Sequence, residues 1–478
     1  MAISSTGLGS GLDVESIVSG LMAVERKPAA LLETAATTMK SQLSTYGQLQ
    51  SYVSAFQDKA RALNSTTLWA QTVAASSDAT VASVTTGTNT AAGSYSLTVS
   101  ELATSQTAST AVFPSKEHSL GQGQLTIDLG SWTGDPATFG LKAGSTSVTI
   151  DIGPGESSLA AVRDKINAAG AGVTATVIYD ATGARLSIRS TETGVNNGFR
   201  ISATETVPGD DGGLGLSALA YDPEGGASNM MLNQTAKNAK AKLNGLDIES
   251  ASNTLADVAD GLTIKLLKVS ASPVDLTVTQ DTESMKTKVT EFATAYNDLA
   301  NFIATQTKYN ADSKVAGKLQ GDRTVIGLQS QMREILRGTS TATSAFGSLS
   351  QVGLEVQTNG TIKIETKKLD AALAKPAELR KLLASSDTTS DTSSGIVYRF
   401  NKLADQVLGA EGPLETRTAG IQSSITRNAK RVEAIDDRLA QTEKRLRAQY
   451  QALDTNMAKM SSLSSYMSQQ LSLLSSSS

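Results

Sequence analysis

The hydrophobic positions change period twice along the chain. Toward the C-terminal end, Ile425, Val432, Leu439, Leu446, Leu453, Met460, Met467 and Leu474 recur every seven residues. The companion positions are mixed. Ile421, Ile435 and Leu463 are apolar, whereas Asn428, Thr442, Gln449, Asn456 and Gln470 are polar. A sustained heptad predicts one long helix that buries a seam against another helix. From 425 to 474 it spans about 75 Å at 1.5 Å per residue. The polar companions weaken the seam and can set its register. Ser fills ten of the last 18 positions, yet Met460, Leu463, Met467, Leu471 and Leu474 still hold one face.

The other end mirrors this pattern. Leu32, Met39, Tyr46, Val53 and Ala60 lie seven apart, and Ala35, Leu49, Phe56 and Leu63 fill the second seam around Gln42. Pro28 suits the first turn of that helix. A shorter helix precedes it, with Val14, Ile17, Val18 and Leu21 on one face. Two readings stand. The terminal helices pack on each other and on a globular body, or they form an intermolecular coiled coil. A helix of that length is far beyond the globular norm, which favours a partner outside its own domain for most of it. The assembly-seam candidates are therefore Leu32, Met39, Tyr46, Leu49, Val53 and Phe56 on the N-terminal helix. On the C-terminal helix they are Ile425, Val432, Ile435, Leu439, Leu446, Leu453, Met460, Met467 and Leu474.

Between these helices the period falls to two. Strands are expected over 72–82 and 93–99, around Leu125–Ile127–Leu129 and around Val148–Ile150–Ile152. A short helix with Leu159, Val162 and Ile166 on one face stops at Gly170. Strands at Val173–Ala175–Val177 and through Leu186 and Ile188 follow, closed by a turn at 180–183, which makes a β-α-β-β unit. Residues 206–230 read as loop from their Pro, Gly and Asp content. Asn244-Gly245 predicts a tight hairpin, and strands at 262–269 and 274–279 end the region. Helices then return, with Met285, Val289, Phe292, Tyr296, Leu299 and Ile303 on one long face and Asp281 as its cap. Further helices are expected on Val325–Leu336, 369–374, 376–384 and 395–408, with a hairpin across Asn359-Gly360. Helix, β, helix order makes the β region an insertion. The expected fold class is α+β multidomain: terminal coiled-coil helices, a helical stem, and β-rich domains inserted between them. The expected divisions are 1–45, a stem of 46–70 with 281–415, an inner β domain of 71–110 with 236–280, an outer domain of 111–235, and a C-terminal helix of 416–478.

Composition removes most catalytic chemistries. There is no Cys, so disulfides, thiolates and sulfur-ligated zinc are excluded. His118 is the one histidine, in a polar loop, so a multi-histidine metal centre cannot form. Gly7-Leu8-Gly9-Ser10-Gly11-Leu12 lacks a preceding strand and a P-loop lysine, and reads as flexible lead-in. Asp180, Asp210, Asp211 and Asp222 lack calcium-loop spacing. Basic and acidic residues number 42 and 46, a formal charge of −4, which argues against nucleic acid as a partner. No stretch is long enough for a membrane span, and the first twenty residues lack the basic start and apolar run of a secretory signal. No catalytic residues, cofactor or metal are expected.

Three stretches carry a family resemblance. They are Gly7-Leu8-Gly9-Ser10-Gly11-Leu12-Asp13-Val14 with Glu25-Arg26-Lys27-Pro28, then Ser158–Asn167 with Gly172–Val177, Thr182-Gly183 and Leu186, and Lys242–Ile248 with Asn253-Thr254 and Gly261–Thr263. With the heptad tail, the sequence resembles the bacterial flagellar filament cap family, also called hook-associated protein 2. The resemblance implies a ring of subunits, typically five, at the filament tip, which retains exported flagellin and promotes its folding and insertion. It implies contacts with other copies, with flagellin, with hook–filament junction proteins and, before secretion, with a cytosolic export chaperone. Leu446, Leu453, Met460, Leu463, Met467 and Leu471 are the candidates for the chaperone contact. It also implies an extracellular location reached by the flagellar type III route without a cleaved signal. Two rivals remain: an adhesin or tail-like surface protein with β heads on a stalk, and an enzyme grafted into the β insertion.

Overall fold

The structure, a computed structural model, describes residues 13–88, 90–209, 213, 215–312, 314–387 and 390–475. The side chain of Leu474 and residues Gly7 to Leu12 lie outside the described residues. The helices are α1 (Val14–Glu25), α2 (Lys27–Asn64), α3 (Thr66–Ala70), α4 (Leu159–Ala168) and α5 (Thr282–Thr307). They continue with α6 (Arg323–Arg337), α7 (Thr366–Leu373), α8 (Pro376–Ala384), α9 (Ile396–Leu408) and α10 (Pro413–Ser475). The chain forms two units, one from residues 1–69 with 282–478 and the other from 70–281. The β region is thus an insertion into a helical unit, and the chain is α+β and multidomain.

The helical unit is built on one stripe of α2. Tyr46, Leu49, Val53, Phe56, Ala60 and Leu63 are buried there against α5, α9 and the start of α10. Aromatics are only 4% of the chain, but they concentrate here. Phe56, Phe292, Tyr296 and Phe400 form a cluster with ring centroids 5.3–5.9 Å apart, mostly edge to face. Such pairs add about 0.5–1.5 kcal/mol each beyond burial. The side chain of Asn297 holds the Leu354–Val356/Ile362–Ile364 hairpin onto α5, accepting from the Ile362 N–H at 2.7 Å and donating to its carbonyl at 2.8 Å.

In the inserted unit the first strand, Thr72–Ser76, pairs antiparallel with the last, Val274–Gln280, so that the chain leaves beside the point where it entered. These two belong to a five-stranded sheet with Gly93–Glu101, Ala239–Leu243 and Leu246–Ser250. A three-stranded sheet of Thr254–Ala259, Leu262–Leu266 and Ala82–Thr86 shares its core. The region expected as one strand over 72–82 is two strands in different sheets, because Asp78 accepts from the Thr80 N–H at 2.9 Å and turns the chain. The Asn244-Gly245 turn forms as expected, with φ of 51° and 82°.

A second core of the same unit lies under a six-stranded and a four-stranded sheet. The expected β-α-β-β unit is present in order but divided. Val148–Ile152 pairs with Gln122–Thr133 in the larger sheet, and Val173–Asp180 pairs with Gly183–Ser190 in the smaller. α4 starts on Ser158, which accepts from the Ala161 N–H at 3.2 Å. Residues 206–230 are not all loop. Leu216, Ala218 and Leu219 are buried in a short 3-10 turn, and Tyr221–Asp222 adds to the larger sheet.

Candidate functional site

The feature that most needs explaining is α10, 63 residues and about 95 Å long. Its root is held by a polar clamp. Asp322 caps α6, accepting from the Thr324 N–H at 2.9 Å, and pairs with Arg417 at 3.0 Å. Burial pushes the Asp322 carboxyl up, but neighbouring Tyr46 and Arg417 outweigh it and hold it below its usual range. Burial first, then the neighbouring Asp322 carboxylate, pushes the Tyr46 phenol well above its ordinary value. Side chains of α2, α10 and the cap of α6 thus meet at one point, with Tyr46 buried and Arg417 closing it from the solvent side.

From that root α10 runs along α2 and then meets α1. Leu414, Ile421, Ile425 and Leu439 are buried, and Asn428, Val432, Ile435, Thr442 and Leu446 are half-buried. The spacing of three and four residues is that of a coiled-coil seam. α1 lays Val14 and Val18 inward and is capped by Asp13, which accepts from the Ser16 N–H at 3.0 Å. Arg447 closes this packed stretch with two hydrogen bonds to Glu15, one at 2.7 Å, and a third to Glu443 at 2.9 Å. The Arg447 hydrogen bonds lower the Glu15 carboxyl pKa, and the same bonds raise that of Arg447.

Beyond this point the stripe continues and is exposed among the described residues. Leu453, Met457, Met460, Leu463, Tyr466, Met467, Leu471 and Leu473 are all exposed, Met460 at 72%. The candidate site is this open apolar face of about six turns.

The seam candidates therefore divide into three. Tyr46, Leu49, Val53 and Phe56 are core residues of this chain's own stem, which corrects their assignment to an assembly seam and agrees with the alternative that the terminal helices pack on a globular body. A heptad names the face that is buried and not the chain that buries it. Ile425, Val432, Ile435, Leu439 and Leu446, with the half-buried Leu32 and Met39, lie in packed or half-packed surface. Leu453, Met460 and Met467 lie bare, as do Leu463 and Leu471. The clamp of Tyr46, Asp322 and Arg417 and the Glu15–Arg447 pair were missed. Asp322 caps α6 through its near neighbours, but its partners Tyr46 and Arg417 lie 276 and 95 residues away in sequence.

His118 stacks on Phe113 with centroids 5.0 Å apart. Among the described residues no group of three or more His, Cys, Asp or Glu could hold a metal, and no helix is long and apolar enough to cross a membrane. In the resemblance motif, Asn167 has a structural use. It accepts from the Ala175 N–H at 2.7 Å and donates to the Ala175 carbonyl at 2.9 Å, joining α4 to the strand beside it.

Comparison with known proteins agrees with this architecture. Residues 138–192, which include α4 and the strands after it, match the family described as flagellin hook IN motif. A helical stem bearing such a motif in its β insertion defines a flagellar structural protein. Residues 10–106 match the N-terminal model of flagellar hook-associated protein 2, and residues 236–462 match its C-terminal model. The flagellar hook-associated protein 2 of Escherichia coli K12 is 32% identical, over 98% of both chains. The B-type protein of Pseudomonas aeruginosa PAO1 is 32% identical over 96% of this chain and 95% of its own. The solved D1–D2–D3 domains of the Escherichia coli flagellar cap protein superpose with a TM-score of 0.59 at 31% identity, covering 79% of this chain and 99% of that one. The chain belongs to the flagellar hook-associated protein 2 family.

Proposed function

We propose that this protein caps the distal end of the flagellar filament as a ring of copies, typically five, retaining exported flagellin and promoting its insertion. The observation that carries this reading is the division of α10. Its first half is used on α1 and α2, and its second half presents an apolar stripe to a helical partner. A stripe of Leu453, Met460, Leu463, Met467 and Leu471 fits the helix-in-groove mode of recognition. In the filament the partner is flagellin and, at the base of growth, the hook–filament junction proteins. Before export the same stripe binds a cytosolic chaperone, which keeps an apolar surface covered. Export follows the flagellar type III route to the extracellular tip.

The test is complementation. Purified full-length protein added to a strain lacking its cap should restore filaments, and protein ending at Gln451 should not. Failure of the full-length protein would overturn the cap reading. Success of the shortened protein would overturn the role given to the end of α10.

A further inference from the structure

The four-stranded sheet of the insertion runs Met231–Gln234, Thr107–Ser109, Gly183–Ser190, Val173–Asp180, with every neighbouring pair antiparallel. Among the described residues, no further strand pairs with either of its outer strands. On Val173–Asp180, Asn167 takes the outward N–H and C=O of Ala175. Antiparallel alternation then directs the N–H and C=O of Val177 and Tyr179 outward as well, and no described residue bonds them. The outer edge of Met231–Gln234 is likewise unbonded among the described residues.

Exposed edges are normally blunted by lysine, proline or a covering segment. Here the open stretch 176–180 reads Thr-Val-Ile-Tyr-Asp and the other edge reads Met-Leu-Asn-Gln. Ile178 and Tyr179 are 52% and 57% exposed, and Met231 and Leu232 57% and 39%. Two short apolar edges of nearly equal length therefore sit at opposite ends of one sheet.

Direction decides what they fit. With four antiparallel strands, the two edge strands run in opposite senses. A second copy in the same orientation sets its Met231–Gln234 antiparallel to Val173–Asp180 of the first, and the alternation continues unbroken. A joint between unlike edges is head-to-tail, the kind that generates rings when its rotation closes. Strand twist of roughly 20–25° supplies part of that rotation.

We propose that adjacent copies of this chain join edge to edge, residues 176–180 of one against Met231–Gln234 of the next. This rests on the ring reading above and names the surface that makes the ring. The absence of Cys makes introduced cysteines clean reporters. In full-length protein carrying Ile178→Cys and Leu232→Cys together, a short bis-maleimide should give a ladder of dimers, trimers and higher species. An equal mixture of the two single variants should stop at dimers, and either single variant alone should not cross-link. Tyr179→Pro removes an outward N–H without touching the inner ladder. It should abolish oligomers by light scattering and leave circular dichroism and melting unchanged.

Rings that persist by light scattering while the double variant fails to cross-link would overturn the edge assignment and leave the ring reading intact. Cross-linking of Ile178→Cys alone would show like edges meeting and overturn the head-to-tail joint. Rings that survive Tyr179→Pro while filament growth stops would give the edge to an outgoing flagellin strand instead. Unmodified protein that forms no oligomer in solution or at filament tips would remove the ring reading itself.

Discussion

The two halves of α10 share one heptad and have opposite fates. Over residues 413–447 the stripe is covered by α2 and α1, and over 453–473 the same kind of stripe faces solvent. Periodicity alone made no distinction between them. The difference comes from the other end of the chain: α2 and α1 cover the first half, and Glu15 meets Arg447 where the cover by described residues ends. An amphipathic repeat thus specifies a helix and a face, while the supply of partner surface within the chain decides which part of that face is left for another molecule.

This contrast can be broken by measurement. The largest effect is expected in the covered half. Ile421→Ala and Leu439→Ala should each lower unfolding stability by about 2–4 kcal/mol, as buried large-to-small changes do. Met460→Ala should stay within about 0.5 kcal/mol, as surface changes do, while filament restoration falls. Equal losses of stability in both halves, by denaturant titration, would erase the contrast.

Next in size is the clamp at the root. Asp322→Ala removes a helix cap and strands Arg417 beside Tyr46, and should cost about 1–2 kcal/mol. The loss should appear as faster hydrogen exchange at the start of α6 and around Arg417, with the exposed end of α10 unaffected.

A third test concerns the polar seam. Asn428 and Thr442 are half-buried, while Gln449 and Asn456 are exposed. Changing all four to Leu should raise the stability of the packed half and slow filament growth, because helix contacts that must be remade at each added subunit become too firm. Filaments of ordinary length would sink that account.

The smallest effect is the pH response of the Glu15–Arg447 pair. The Glu15 carboxyl is held below its usual value, so its contribution is complete above the unfolded pKa of about 4.3 and is lost as pH falls through the lower folded value. The protection of α1 amides, after correction for the intrinsic pH dependence of exchange, should therefore be lower at about pH 3 than at pH 6, and Arg447→Gln should flatten that dependence. The pair is solvent-exposed, so its energy is small.

Local chemistry was legible throughout. Pro28 at the first turn of α2, Gly170 as the stop after α4, and Asn244-Gly245 as a hairpin turn are decided by neighbours within about four residues. Strands with weak alternation were not legible. Gly198–Val207 forms the long ladder with Gln122–Thr133, yet its alternation is confined to Phe199, Ile201 and Ala203 and stops at Thr204, Glu205 and Thr206. Met231–Gln234 has no buried side chain at all. Such strands exist because a partner strand satisfies their backbone, which a linear pattern does not register.

The sequence by itself determined the helix–β–helix order, the long terminal helices and the family motifs, since each depends on spacings within one or two turns or on a short run of residues. Only the tertiary structure decided that Tyr46 and Phe56 are internal, that Thr72–Ser76 closes against Val274–Gln280, and that the apolar stripe is covered up to Arg447 and bare beyond it. The physical reason is that burial is a property of pairs of surfaces. Residues about 200 to 430 positions apart supply the second surface in these cases, and no local period encodes which of them will arrive.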